Sequence, residues 1–237
     1  MKTESESKTV TEGAQAPVLL PVADMIEWHD LALEAWHRDR GPAESELEDH
    51  GWEGGPQAFD LALKIGREHL TNIRLWHEED DARRPDVGDN VIAAVKRRID
   101  RLNQRRNDLI EVIDDSITTA LMAAGSTPGL ESRLHSETPG TIIDRLSILA
   151  LKIFHMREES ERKDASERHR SLCAERLAVL QRQRADLVGC LVTFLGDLVS
   201  GRASFRTYRQ FKMYNDPETN PALRAARRES QGPAAAS

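Results

Sequence analysis

A chain of 237 residues that is 39% hydrophobic can bury a core for one or two domains, and its 5% aromatic and 31% charged content suits helices with Leu, Ile and Val cores better than a β-sandwich. A net charge of -7 argues against a general nucleic-acid-binding role. No apolar run is long enough to cross a membrane, and the polar start MKTESESKTVTEGAQ has no apolar segment of the kind a secretory leader carries.

Residues 1–20 read as a disordered arm, 21–217 as a single helical-bundle domain, and 218–237 as a disordered tail. A helix is predicted from Val22 to about Arg38, with Met25, Ile26, His29, Leu33 and Trp36 on one side. Gly41-Pro42 and Gly54-Gly55-Pro56 mark a loop. The first long helix runs from about Gln57 to Arg84 and stops at Pro85, with Phe59, Leu63, Gly66, Leu70 and Ile73 sharing a face. The second runs from about Asp89, read as its N-cap, to Met122 along an Ile92, Val95, Ile99, Leu102, Leu109, Ile113, Ile117 stripe. A linker carrying Gly125, Pro128 and Gly129 follows. The third long helix opens at Thr138-Pro-Gly-Thr141, Thr138 as cap and Pro139 in the first turn, and continues to about Lys163. The fourth runs from about Ser166 to Val199 and ends near Gly201. Cys173 and Cys190 fall on it roughly 25 Å apart, too far to bridge, so a reducing, cytoplasmic compartment is expected. No stretch alternates cleanly as a strand, and no sheet is expected.

The four long helices form two copies, about 57–122 and 138–200, offset by 78 positions. Ile65, Ile73, Trp76, His77, Leu102, Arg106, Asp108, Leu109 and Ile113 fall on Ile143, Leu151, Phe154, His155, Leu180, Arg184, Asp186, Leu187 and Leu191. Apolar positions persist in both copies, whereas Asn72, Glu79, Asp100, Asn107, Glu111 and Asp114 become Ala150, Arg157, Ala178, Ala185, Gly189 and Val192. A helix pair can therefore be built without those polar groups, which points to one specialised site in the first copy. The expected fold is all-α: an antiparallel bundle made from a duplicated long helical hairpin, with an added N-terminal helix.

In the first copy, Lys96, Asp100, Asn103, Asn107, Glu111 and Asp114 recur at helical spacing and form a ladder on one edge of the second helix. On the first helix His77 lies in the apolar face, with Asp80 on its edge and Glu79 and Arg83 beside it. Burying these groups costs free energy unless they pair or bind something. Two readings follow. The ladder is an internal ion-pair network that fixes helix register, or it is a ligand site. In the second case Glu79, Asp80, Glu111 and Asp114 offer the hard oxygen ligands that Mg²⁺ or Mn²⁺ takes. Arg83, Lys96 and Arg106 would hold an anionic substrate. His77, Asn103 and Asn107 are the candidate catalytic and orienting residues, although His155 at the matching position points equally to a packing histidine. His77 also has no second His at i+3 or i+4 to share a transition metal. Phe205 to Asp216 interleaves aromatic and basic residues; it reads as a strap over the bundle, or as a lid placing Lys212 and Tyr214 on the substrate.

The strings Leu75-Trp-His-Glu-Glu-Asp-Asp-Ala-Arg83, Asn103-Gln-Arg-Arg-Asn-Asp-Leu-Ile-Glu111, Thr138-Pro-Gly-Thr-Ile-Ile-Asp-Arg-Leu-Ser147 and Gln210-Phe-Lys-Met-Tyr-Asn-Asp-Pro217 resemble a bacterial family known only as a domain of unknown function, over about residues 57–221. That resemblance implies a setting near glycosyltransferases and brings no established chemistry. Glu111-x-x-Asp114, with Glu78-Glu79 and Asp80, is more loosely similar to the all-α nucleoside triphosphate pyrophosphohydrolases, which bind Mg²⁺ through acidic residues on two helices. The expectation is a divalent-metal-dependent enzyme acting on a phosphorylated or nucleotide-linked small molecule. The alternative is a non-catalytic accessory or interaction protein in a glycosyltransferase or biosynthetic pathway; either reading is compatible with a homo-oligomer.

Overall fold

The computed structural model describes residues 19–39, 55–211 and 213–231. The expected arm at 1–18, the loop at 40–54, Lys212 and the last six residues lie outside them. The described residues are mostly helical, as expected for an all-α chain. Helix α1 spans Val22–Asp39, α2 Gly55–Asp81, α3 Asp89–Ala123, α4 Pro139–Glu161 and α5 Glu167–Val199.

The ends of these helices follow from local chemistry. Thr138 caps α4 through a capping box: its hydroxyl accepts from Thr141 N–H at 3.2 Å, and its own N–H donates to Thr141 Oγ1 at 2.9 Å. Pro139 occupies the first turn, where no N–H is needed. Ser166 caps α5 by accepting from His169 N–H. Gly125 at φ 70 and Gly201 at φ 71 close α3 and α5, a backbone region that glycine enters without penalty. At Gly201 a Cβ would also meet Thr127 O at 2.5 Å. The start of α3 corrects an expectation. Gly88, in extended conformation and without a side-chain cap, is the N-cap, and Asp89 is the first helical residue. There its charge still favours the positive end of the helix.

Helix α2 is central. Leu61, Ile65, Leu70 and Ile73 are buried, but so are Glu68, His69, Thr71 and Asn72, so its middle is enclosed on more than the one predicted face. The reason is that α1, α3 and α4 all pack on it. One apolar cluster joins Met25, Leu61, Ile65, Ile113, Ile117, Ile143, Leu146, Leu191 and Leu195. A second joins Trp28, Leu33, Leu70, Ile73, Ala150 and Leu151. A third, Leu75, Val95 and Ile99, closes the far end of α2 on α3. Asp30 on α1 accepts from Arg184 on α5 at 2.7 Å.

A small sheet is present where none was expected. β1, Arg133–Leu134, pairs in parallel with β2, Ala203–Ser204, in the register Arg133↔Ala203 and Leu134↔Ser204. Two-residue strands leave no alternation to read in the sequence; the pairing arises because the turns after α3 and α5 lie side by side, as Gly129 N–H donating to Gly201 O also shows.

The chain divides into two units, residues 1–207 and 208–237. In the second, a short 3₁₀ turn at Met213–Asn215 leads to helix α6, Pro221–Gln231. The tail expected to be disordered is therefore helical over that stretch. Asn220 caps it by accepting from Ala222 N–H at 2.9 Å, and Pro221 presets the first turn.

Candidate functional site

Helices α2, α3 and α4 leave a cavity of about 330 Å³ between them, lined by Asn72, Leu75, Trp76, Glu79, Asp80, Arg83, Asn103, Arg106, Ile148 and Leu151. Six of the residues singled out in the sequence, Asn72, Glu79, Asp80, Arg83, Asn103 and Arg106, meet here. Arg83 is exposed and donates to Glu79 Oε2 at 2.8 Å. Arg106 is more enclosed: its Nε stands 3.7 Å from Asp144 Oδ1 and makes no hydrogen bond. Its guanidinium is thus held near an acid without being saturated by it.

Beside the cavity lies a polar cluster that periodicity did not reveal. Asn72 lines the cavity and its Nδ2 donates inward to Glu68 Oε1 at 2.5 Å, Asp144 Oδ1 at 3.1 Å and Ser147 Oγ at 2.9 Å. His69 Nδ1 and Ser147 Oγ are 2.8 Å apart, and His69 Nε2 lies 3.1 Å from His29 O. Since the carbonyl can only accept, Nε2–H donates and Nδ1 accepts from Ser147. Glu68 is fully buried and one carboxyl oxygen has no partner. Burial, then the adjacent Asp144 carboxyl, hold the Glu68 carboxyl well above the usual range, which favours its protonated form. Burial likewise drives His69 down to about 3 and His29 well below its usual value. The site floor is therefore a set of buried groups, beside Asp144 and Arg106, whose neutral forms burial favours. The available signal was Glu68-His69 inside an apolar helix and Asp144 after the Thr-Pro-Gly turn; only the packing of α4 on α2 shows that they meet.

The remaining predicted residues go elsewhere. Asp114 is buried and accepts from Gly140 N–H at 2.7 Å, so it serves the start of α4. As a metal ligand it would have to share that oxygen with Gly140 N–H, and a cation there would face the positive end of α4. Glu111, half-buried on the same helix, has a partner within the protein and does not line the cavity. Lys96 is exposed and bound to Asp100 one turn on, away from the cavity, and Asn107 also lies outside the lining. The proposed four-carboxylate set is thus divided, and among the described residues no group of three or more His, Cys, Asp or Glu side chains is already arranged to hold a metal ion. His77 is half-buried, with its Nε2 enclosed and unpartnered; burial, then His37, lowers its affinity for a proton. Tyr214 is exposed in the second unit.

No helix among the described residues is long and apolar enough to cross a membrane. No curated protein and no solved structure matches the chain. A family model does match, over residues 63–207, which takes in the cavity, the buried cluster beside it and all of α3, α4 and α5. The chain belongs to that family, DUF4254, proteins of unknown function.

Proposed function

We propose that this chain binds a phosphorylated or nucleotide-linked small molecule in the cavity between α2, α3 and α4 and acts on it with a divalent cation. The observation that carries this reading is Arg106, enclosed, with an unsatisfied Nε, facing a cavity that also offers Asn72, Asn103 and the Trp76 ring. Guanidinium groups bind phosphate oxygens through charge-assisted hydrogen bonds, and an indole takes a planar ring. With Asp114 committed to α4, Glu79 and Asp80 are the carboxylates left to hold Mg²⁺ or Mn²⁺ at the cavity. The architecture proposed with it is the duplicated antiparallel hairpin. Lys64 reaches Ser116 while Arg98 reaches Glu78, as opposed helices require. Matching positions of the two copies also meet, His69 with Ser147 and His77 with His155.

Calorimetric titration with a nucleoside diphosphate and a nucleoside diphosphate sugar, with and without Mg²⁺, tests the binding step. Arg106→Met should weaken binding at least about tenfold, the loss of one charge-assisted hydrogen bond. Absence of binding by the folded wild-type chain would overturn the reading. Turnover is tested by phosphate release, which should vanish in a Glu79→Gln, Asp80→Asn double variant. Binding without turnover would leave the accessory-protein reading, which the exposed Tyr208, Phe211 and Tyr214 favour as a contact surface.

A further inference from the structure

His37 of α1, His77 of α2 and His155 of α4 enter one aromatic box. Their ring centroids are 5.3 Å apart for His37–His77, 5.1 Å for His37–His155 and 6.2 Å for His77–His155. Trp36 stacks on His77, Phe154 on His37 and Trp76 on His155. In all three rings Nε2 is closed off from solvent and has no hydrogen-bond partner. Two of the tautomers are fixed from behind. His37 Nδ1–H donates to Leu33 O at 2.8 Å, and His155 Nδ1–H donates to Glu158 Oε2 at 3.1 Å. Their Nε2 atoms are then bare lone pairs.

A buried ring nitrogen left without a partner is costly, so three in one box call for a common partner. Besides a proton, the partner that an imidazole lone pair takes is a metal cation. Asp80, Asp81 and Glu158 all place negative charge toward His77. A carboxylate or carbonyl behind Nδ1 is also the arrangement that orients imidazole ligands toward zinc.

We infer that His37, His77 and His155 form a site for a first-row transition-metal ion of the zinc type, with a fourth position left for solvent. With metal–nitrogen bonds of about 2.1 Å at tetrahedral angles, the ring centroids would stand about 5 Å apart. Two of the three spacings are already close to that. The His77–His155 gap is about 1 Å wide of it, and as the side chains stand no three donors among the described residues hold one point; binding requires small turns of those two side chains. Zinc-type ions, rather than Mg²⁺, are the class that takes neutral imidazole. The site lies behind Trp76, which lines the cavity and stacks on His155, and its ligands are not those proposed for the cavity. It stands whether or not the cavity binds a nucleotide.

The test is titration of metal-stripped, full-length chain with Co²⁺. One equivalent should bind with the visible ligand-field bands of tetrahedral cobalt and be displaced by Zn²⁺. His77→Gln and His155→Gln should each lower affinity at least about tenfold. His169→Gln, a surface histidine paired with Glu159, and Arg106→Met should leave binding unchanged. Absent bands in the folded wild type, or bands that survive His77→Gln, overturn the site. If the variants fail to fold, nitrogen-15 imidazole spectra of the wild type decide: three Nε2 resonances should shift with Zn²⁺, and fewer than three shifting overturns it.

Discussion

Asp114 and His69 are buried groups whose ionisation opposes folding in opposite directions along the pH axis. Burial pushes Asp114 from 3.8 up to about 6, although Thr138 and Gly140 N–H pull it down. Between about pH 4 and 6 the native state holds a proton that the unfolded chain has released, so stability falls as pH rises through that window. Asp114→Asn keeps an acceptor for Gly140 N–H and removes the charge. It should exceed the wild type in stability at pH 7.5 by on the order of 1–3 kcal/mol, and the difference should shrink toward pH 4. Urea unfolding at the two pH values checks this; an equal difference at both would refute it. Burial takes His69 from 6.5 down to about 3, the opposite sign. Its contribution is complete above pH 6.5 and is lost at about 1.4 kcal/mol per pH unit as pH falls toward 3. His69→Gln should flatten the acid limb of a stability–pH curve by about one proton, whatever it does to stability at pH 7.

At the scale of the element, the start of α4 joins the fold to the site. Gly140 lies so close to α3 that a Cβ would stand 2.7 Å from Ile110 O and 2.8 Å from Asp114 Oδ1. Gly140→Ala must push α4 outward, at a cost of about 1–3 kcal/mol, and it should weaken ligand binding because Asp144, one turn on, supports Arg106 and Asn72. Thr138→Ala loses the cap and the hydroxyl's contact with Asp114, costing about 1 kcal/mol, with binding retained. Urea midpoints and calorimetry on the pair separate the two effects. Thr138-Pro-Gly-Thr141 was legible as a helix start because capping is local chemistry. That its glycine is needed for close approach to α3 was not, since no sequence spacing records which helix lies alongside.

For the whole molecule, α1 lies against both α2 and α4 in the second apolar cluster, around Leu33. Leu33→Ala removes a fully buried side chain there and should cost about 2–5 kcal/mol in a single cooperative transition. A separate early transition in calorimetric scans would show α1 to be peripheral instead. The boundaries of the long helices came from the sequence to within a few residues, because prolines, caps and apolar periodicity are properties of neighbours along the chain. Helical spacing placed the ladder on one stripe of α3 and left open whether it is an ion-pair network or a ligand site. Its members pass from exposed Lys96 to buried Asp114, and only Asn103, with Arg106 beside it, faces the cavity.

The sequence by itself determined the helical class, most helix ends and the family, since these rest on local propensity and on residue patterns within single segments. Only the tertiary structure decided which polar groups share a space: Glu68 with Asp144, Asp114 with Gly140, and His37 with His77 and His155. Those meetings join residues 26–118 positions apart, and they depend on how α1, α3 and α4 surround α2. Helical spacing places a side chain on a face; the neighbouring helix determines what that face meets.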